Sequence, residues 1–163
     1  MMISMDIRHP DIEAFVKMKR DLTKVTGANV SVKISDSFMK AVENDDTFTL
    51  QFPVDSPDPE YTMDIDAASL WATIIESATK TAEPGLLMWD NIIKNLPAHC
   101  YPEFETKTTN PCGEIPLSAY DSCRLLSLNL KSLVKNSFEK KADFDFNKLK
   151  NMAAIGMRLS DDL

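Results

Sequence analysis

Glycine is scarce in this chain, with only Gly27, Gly85, Gly113 and Gly156 among 163 residues. No two of them lie close in sequence. Phosphate-cradling loops of the GxGxxG and GxxxxGK[ST] kinds are therefore excluded, since both need clustered glycines where backbone amides approach phosphates. Histidine is scarcer still: His9 and His99 are far apart, which removes zinc chemistry of the HExxH type, and no metal site is expected. Basic residues are outnumbered, 18 against 25 acidic, giving a formal net charge of -7. Such a surface repels phosphate backbones, so general nucleic-acid binding is not expected. Long apolar runs are missing as well. The longest is Leu86–Trp89, far short of a membrane span.

Cysteine is present in an odd number: Cys100, Cys112 and Cys123. The first residues, MMISMD, lack the basic and apolar regions of a secretion signal, so a cytoplasmic protein without a disulfide framework is expected. The length and the 44% apolar content suit one domain or a large piece of one.

Hydrophobic periodicity lays out alternating strands and helices. Alternation over Ile3–Ile7 predicts a strand, and His9-Pro10 opens a short helix carrying Ile12, Phe15 and Val16. Residues 19–29 predict a loop that turns at Gly27. Val30, Val32 and Ile34 predict a strand, Ser35 or Asp36 caps a short helix over Ser37–Glu43, and Phe48, Leu50 and Phe52 predict another strand. After the proline-rich loop 53–60, a helix is expected to start at Asp64 or Asp66, with Leu70, Trp71, Ile74, Ile75 and Ala78 on its apolar face. Leu86–Trp89 predicts a buried strand, followed by a helical turn at Asn91–Asn95. Leu96–Pro116 is expected to be irregular, and a loop of about twenty residues within a domain is usually functional. A strand is expected in Tyr120–Leu130. A helix begins at Asn147 and carries Leu149, Met152, Ala153 and Gly156 on one face. It has no stop signal. Both ends read as cut from a longer fold.

The chemistry concentrates in Thr109-Asn110-Pro111-Cys112-Gly113-Glu114. If this segment is extended, Asn110, Cys112 and Glu114 face one side. A thiol, a carboxylate and a carboxamide together can remove a hydrogen from carbon and manage a hydroxyl proton. Without a nearby histidine they are not a hydrolase triad. Cys123 and Cys100 read more simply as small buried hydrophobes.

The segment TNPCGEIPLSAYDSCRLLSLNL (residues 109–130) resembles the active-site segment of ribonucleotide reductases, most closely the adenosylcobalamin-dependent class. MISMDIRHPDIEAFVKMKRD, KVTGANVSVKISDSFMKAVENDD, EPGLLMWDNI and MRLSDDL resemble other stretches of the same catalytic chain, so the likeness runs nearly the whole length. It implies that Cys112 becomes the thiyl radical that takes the 3′-hydrogen of the ribonucleotide. Glu114 would take the 3′-hydroxyl proton, and Asn110 would hydrogen-bond the substrate hydroxyl. Cys123 would be one of the redox pair, with its partner upstream in the family. The loop with Lys19, Arg20, Lys24, Gly27 and Asn29 resembles the one through which effector nucleotides tune substrate choice.

The implied fold is part of a ten-stranded α/β barrel, incomplete at both ends, with residues 1–95 as strands and helices, 96–130 as active-site loop and strand, and 131–163 as a C-terminal helical segment. The implied cofactor is adenosylcobalamin. The implied partners are a ribonucleoside di- or triphosphate, nucleotide effectors, the remaining reductase polypeptides and a thioredoxin-like reductant, with no membrane or direct nucleic acid. Two alternatives stand beside this reading: a non-catalytic remnant or interaction module of the same fold, and a reductase fragment served by a separate metal-radical subunit.

Overall fold

The computed structural model describes all of residues 1–163, which form two compact units, Met1–Asp121 and Ser122–Leu163. The first unit begins with β1 (Met2–Asp6), α1 (Ile12–Lys17) and β2 (Asn29–Ile34). The two strands run parallel, with Ile3 opposite Val30 and Met5 opposite Val32. Parallel strands need a crossover, and α1 supplies it. Val30, Ser31, Val32 and Ile34 are all buried, as a strand covered on both faces requires.

Next come α2 (Asp36–Asn44), β3 (Thr47–Phe52), β4 (Tyr61–Asp66) and α3 (Ala67–Thr81). Ser35 caps α2, its hydroxyl accepting from the Phe38 amide at 3.2 Å, and the chain leaves the helix through a left-handed Asp45. β3 and β4 form an antiparallel ribbon pairing Phe48 with Ile65 and Leu50 with Met63. Asp66 caps α3 through the Ser69 amide. The helix therefore starts where expected, but Tyr61–Asp66, expected to be loop and helix start, is a strand. Its acids Asp64 and Asp66 lie on the exposed side of a ladder that β3 completes.

β5 (Gly85–Met88) then joins the other side of β2, in parallel, giving the sheet order β1-β2-β5. Ser31 stands opposite Gly85, and a Cβ on Gly85 would come within 2.7 Å of the Ser31 hydroxyl oxygen. Any larger residue there would force the Ser31 hydroxyl to give way. The core gathers Ile7, Ile12, Val32, Ile34, Phe38, Leu50 and Ile74 from strands and helices alike. Phe38 sits at its centre, edge-on to Phe48 and Trp71 with ring centroids 5.1 and 6.4 Å away. α4 (Trp89–Asn95) follows directly, two residues earlier than periodicity suggests.

Leu96–Pro116 is not an irregular loop. Two short 3₁₀ turns, Pro97–Cys100 and Pro102–Phe104, lead into a hairpin of β6 (Thr106–Thr109) and β7 (Pro116–Ser118). Residues 121–129, which lead into the second unit, lack regular structure, so the strand expected in Tyr120–Leu130 is not formed. A 3₁₀ turn (Leu130–Leu133), a minimal ribbon of β8 (Val134–Lys135) and β9 (Asp143–Phe144), and α5 (Phe146–Asp162) complete it. Leu126 and Leu128 pack on Gly156 of α5. The chain is mixed α/β, but its strands make no closed barrel: they form one three-stranded parallel sheet and three antiparallel ribbons. No helix is long and apolar enough to cross a membrane.

Candidate active site

The thiol expected to carry the chemistry sits at the tip of the β6–β7 hairpin. Thr109 pairs with Pro116, and the residues between them close on themselves. The Asn110 amide donates to the Ile115 carbonyl at 3.0 Å, and the Gly113 amide donates to the Asn110 carbonyl at 3.0 Å. The Asn110 side-chain oxygen accepts the Ile115 amide, also at 3.0 Å. Asn-Pro-Cys-Gly has the composition of a tight turn: asparagine first, proline second and glycine last. Gly113 has φ +87°, a left-handed conformation that side chains disfavour. The extended arrangement expected for Asn110, Cys112 and Glu114 is thus replaced by a turn. Proline and glycine flank the cysteine, and the asparagine oxygen takes up a backbone amide that an extended strand would leave to a neighbour.

The turn holds the three residues in different settings. Asn110 is only 4% exposed, whereas Cys112 and Glu114 are exposed. Buried Thr109 adds a hydroxyl donated to the Asn110 carbonyl at 3.0 Å. One side of the turn is therefore a hydrogen-bonded base, and the other carries an exposed thiol and an exposed carboxylate.

The hairpin is tied to the parallel sheet at three levels. Lys33 donates to the Lys107 carbonyl at 2.6 Å, the Ser4 and Thr108 hydroxyls meet at 3.0 Å, and the Asn29 carboxamide donates to the Pro111 carbonyl at 3.1 Å. Lys33 also lies over the Trp89 ring, 4.2 Å from its centroid. Burial lowers the pKa of this ammonium below its ordinary value; Lys107 adds to the shift, and Asp6 and Asp55 oppose it. In the sequence Lys33 is simply the polar member of an alternating strand. Nothing in the local pattern distinguishes a lysine that clamps a distant hairpin.

A cleft of about 560 Å³ opens at the carboxyl ends of the parallel strands, with Asp6, Arg8, Lys33, Trp89, Lys94 and His99 in its lining. Arg8 bridges Asp6 at 2.9 Å and Asp55 at 3.0 Å, and these bonds, Asp6 first, hold its guanidinium above its usual pKa.

The loop with Lys19, Arg20, Lys24, Gly27 and Asn29 is stitched down by carboxylates, one in α3, one just beyond its end and one within the loop. Lys19 pairs with Glu83 and donates to the Ala28 carbonyl. Arg20 reaches Glu76 at 2.8 Å and Ser77 at 2.9 Å, and Lys24 reaches Asp21 at 3.3 Å. Lys19 and Arg20 belong to a 3₁₀ turn and Asn29 to β2, so the loop proper is shorter than expected. Gly27 is exposed, with open space around it. Cys123 is partly buried in the irregular start of the second unit, and Cys100 is exposed on its 3₁₀ turn.

A parallel α/β sheet thus carries a turn on which an exposed thiol and an exposed carboxylate lie two residues apart. The family model described as "Ribonucleotide reductase, barrel domain" matches residues 1–163, and the chain belongs to that family. It is 37% identical over 160 residues to the vitamin B12-dependent ribonucleoside-diphosphate reductase of Thermoplasma acidophilum, covering 98% of this chain and 20% of the relative. It is 32% identical over 163 residues to the protein of the same name in Mycobacterium tuberculosis H37Rv, covering 99% and 22%. The vitamin B12-dependent ribonucleotide reductase of Streptomyces avermitilis is 29% identical over 184 residues, covering 98% and 18%. The chain thus spans about a fifth of the length of these relatives.

Proposed function

We propose that this chain forms part of the catalytic core of a ribonucleotide reductase, working with further reductase polypeptide to convert ribonucleotides to deoxyribonucleotides by thiyl-radical chemistry. The observation that carries the reading is the turn itself: Cys112 stands exposed beside Glu114 on a base closed by buried Asn110, in a chain of the reductase barrel family.

In this reading the Cys112 S–H bond loses a hydrogen atom to a radical source, and the sulfur radical takes the hydrogen from C3′ of the ribose. Glu114 accepts the 3′-hydroxyl proton while Asn110 hydrogen-bonds a substrate hydroxyl. The 2′-hydroxyl leaves as water. Cys123 and a second thiol, neither Cys100 nor Cys112, supply two electrons and two protons and become a disulfide. Cys112 then returns its hydrogen atom to C3′. The sum is ribonucleotide plus dithiol giving deoxyribonucleotide, disulfide and water.

Adenosylcobalamin, suggested by the relatives' names, is the radical source we assign to the complete enzyme. The residues here do not form its seat. Two roomy clefts measure about 560 and 630 Å³, a size that holds a drug-sized ligand, and a corrin with its side arms is larger.

The remaining partners of the proposal are a ribonucleoside di- or triphosphate, nucleotide effectors acting at the 19–29 loop, a thioredoxin-like reductant, and a cytoplasmic setting. The test is to assemble the complete reductase containing this chain with adenosylcobalamin, reductant and labelled ribonucleotide. Deoxynucleotide product supports the reading; a correctly folded assembly that forms none favours a non-catalytic remnant.

A further inference from the structure

Of the three ties between hairpin and sheet, only one reaches the turn. Lys33 and Ser4 hold β6, whereas the Asn29 carboxamide holds the carbonyl of Pro111, the residue joined by its peptide bond to Cys112. That bond fixes the plane of the Pro111–Cys112 peptide, and with it the direction in which the cysteine leaves the backbone. Asn29 is itself firmly placed: its amide donates to the Met1 carbonyl at 2.8 Å, and it opens β2 opposite Met2. Directly before it, the Ala28 carbonyl accepts from Lys19, which also pairs with Glu83. A continuous chain of contacts therefore runs from the 19–29 loop through Asn29 to the thiol-bearing turn.

We propose that Asn29 is a positioning residue for Cys112, aiming the thiol through the Pro111 carbonyl. The role in turnover rests on the reductase reading; the coupling between Asn29 and the thiol does not. Asn29→Asp keeps the size and removes the donor, because a carboxylate cannot donate to a carbonyl.

The experiment uses the full chain and iodoacetamide. Alkylation of Cys112, Cys100 and Cys123 is followed separately by peptide mass spectrometry, alongside thermal melting. In Asn29→Asp and Asn29→Ala, the Cys112 rate is expected to change by roughly threefold to tenfold, the span of one hydrogen bond, while the Cys100 rate and the melting temperature stay at wild-type values. Asn29→Gln, which keeps a donor, is expected to restore part of the wild-type rate. An unchanged Cys112 rate in Asn29→Asp overturns the proposal. So does a common shift of all three cysteines with a lowered melting temperature, which marks general loosening. In the complete reductase, Asn29→Asp is expected to lower kcat with little change in KM. Should the assembly prove inactive even as wild type, the reductase reading fails, while the alkylation result still decides the coupling.

Discussion

Asn110 and Ile115 are bonded twice across the base of the thiol turn: backbone amide to backbone carbonyl at 3.0 Å in one direction, and backbone amide to side-chain oxygen at 3.0 Å in the other. The same side chain is proposed to bind substrate, so its two ends have separable duties. Asn110→Asp keeps an oxygen for the Ile115 amide and loses the NH₂ donor. Asn110→Ala loses both. We expect Asp to fold like wild type and to lose turnover by a hydrogen bond's worth, about 1–3 kcal/mol in transition-state stabilisation, and Ala to add a loss of stability. Paired melting and turnover measurements check this. Equal melting temperatures for Ala and wild type show that the side-chain bond does not hold the turn.

Glu114→Gln preserves shape and removes the base. Turnover in the complete assembly is expected to fall by roughly 10² to 10⁴, the usual worth of positioned proton transfer. Cys123→Ser leaves Cys112 able to begin the reaction but unable to finish it, so released base should replace deoxynucleotide among the products. Chromatography of labelled products separates these outcomes, and normal deoxynucleotide yield from Cys123→Ser removes it from the redox pair.

The first unit's stability depends on the centre of its core. Phe38 is fully buried between Phe48 and Trp71, so Phe38→Ala should cost about 3–5 kcal/mol. Ser35→Ala, which deletes the α2 cap, should cost about 1 kcal/mol. Urea unfolding that ranks the two equally contradicts this placement of the core.

Lys33 gives a pH signature. Burial, with Lys107, lowers its folded-state pKa below the ordinary 10.5, against Asp6 and Asp55. Between the two values the unfolded chain holds a proton that the folded chain has released, so stability attributable to Lys33 rises with pH across that window. Lys33→Met should flatten the rise. Parallel slopes of urea midpoint against alkaline pH for variant and wild type contradict it. Asp66 gives the same sign in the acid range: its carboxylate is held below its ordinary pKa by the Ser69 side chain and amide. That contribution is present above the unfolded value and is lost as pH falls through the folded one.

Much of this was legible in the residues. Alternation at Val30, Val32 and Ile34 marks a strand because one strand face buries these apolar side chains while Ser31 and Lys33 lie on the other. The Asp66 cap and the apolar stripe at Leu70 and Ile74 mark α3 because one helix face meets the core. Partnership was harder to see. Tyr61–Asp66 carries acids that suit a helix start, and only its ladder with β3 makes it a strand. Leu125, Leu126, Leu128 and Leu130 suggest a strand, but Leu126 and Leu128 instead pack on Gly156 without a ladder. In the site, the residue types Asn, Cys and Glu were readable. Their setting was not, because the Asn110–Ile115 bond and the Asn29–Pro111 tie join residues through side chains that no periodicity reveals.

In the proposed chemistry Cys112 carries the radical. Its most direct measurement is deoxynucleotide formation by the complete reductase in which this chain bears Cys112→Ser, with wild-type and Cys100→Ser assemblies beside it. The account predicts no product from Cys112→Ser and near wild-type product from Cys100→Ser, because an O–H bond is too strong for the radical source to open readily. Wild-type turnover from the Cys112→Ser assembly would contradict it.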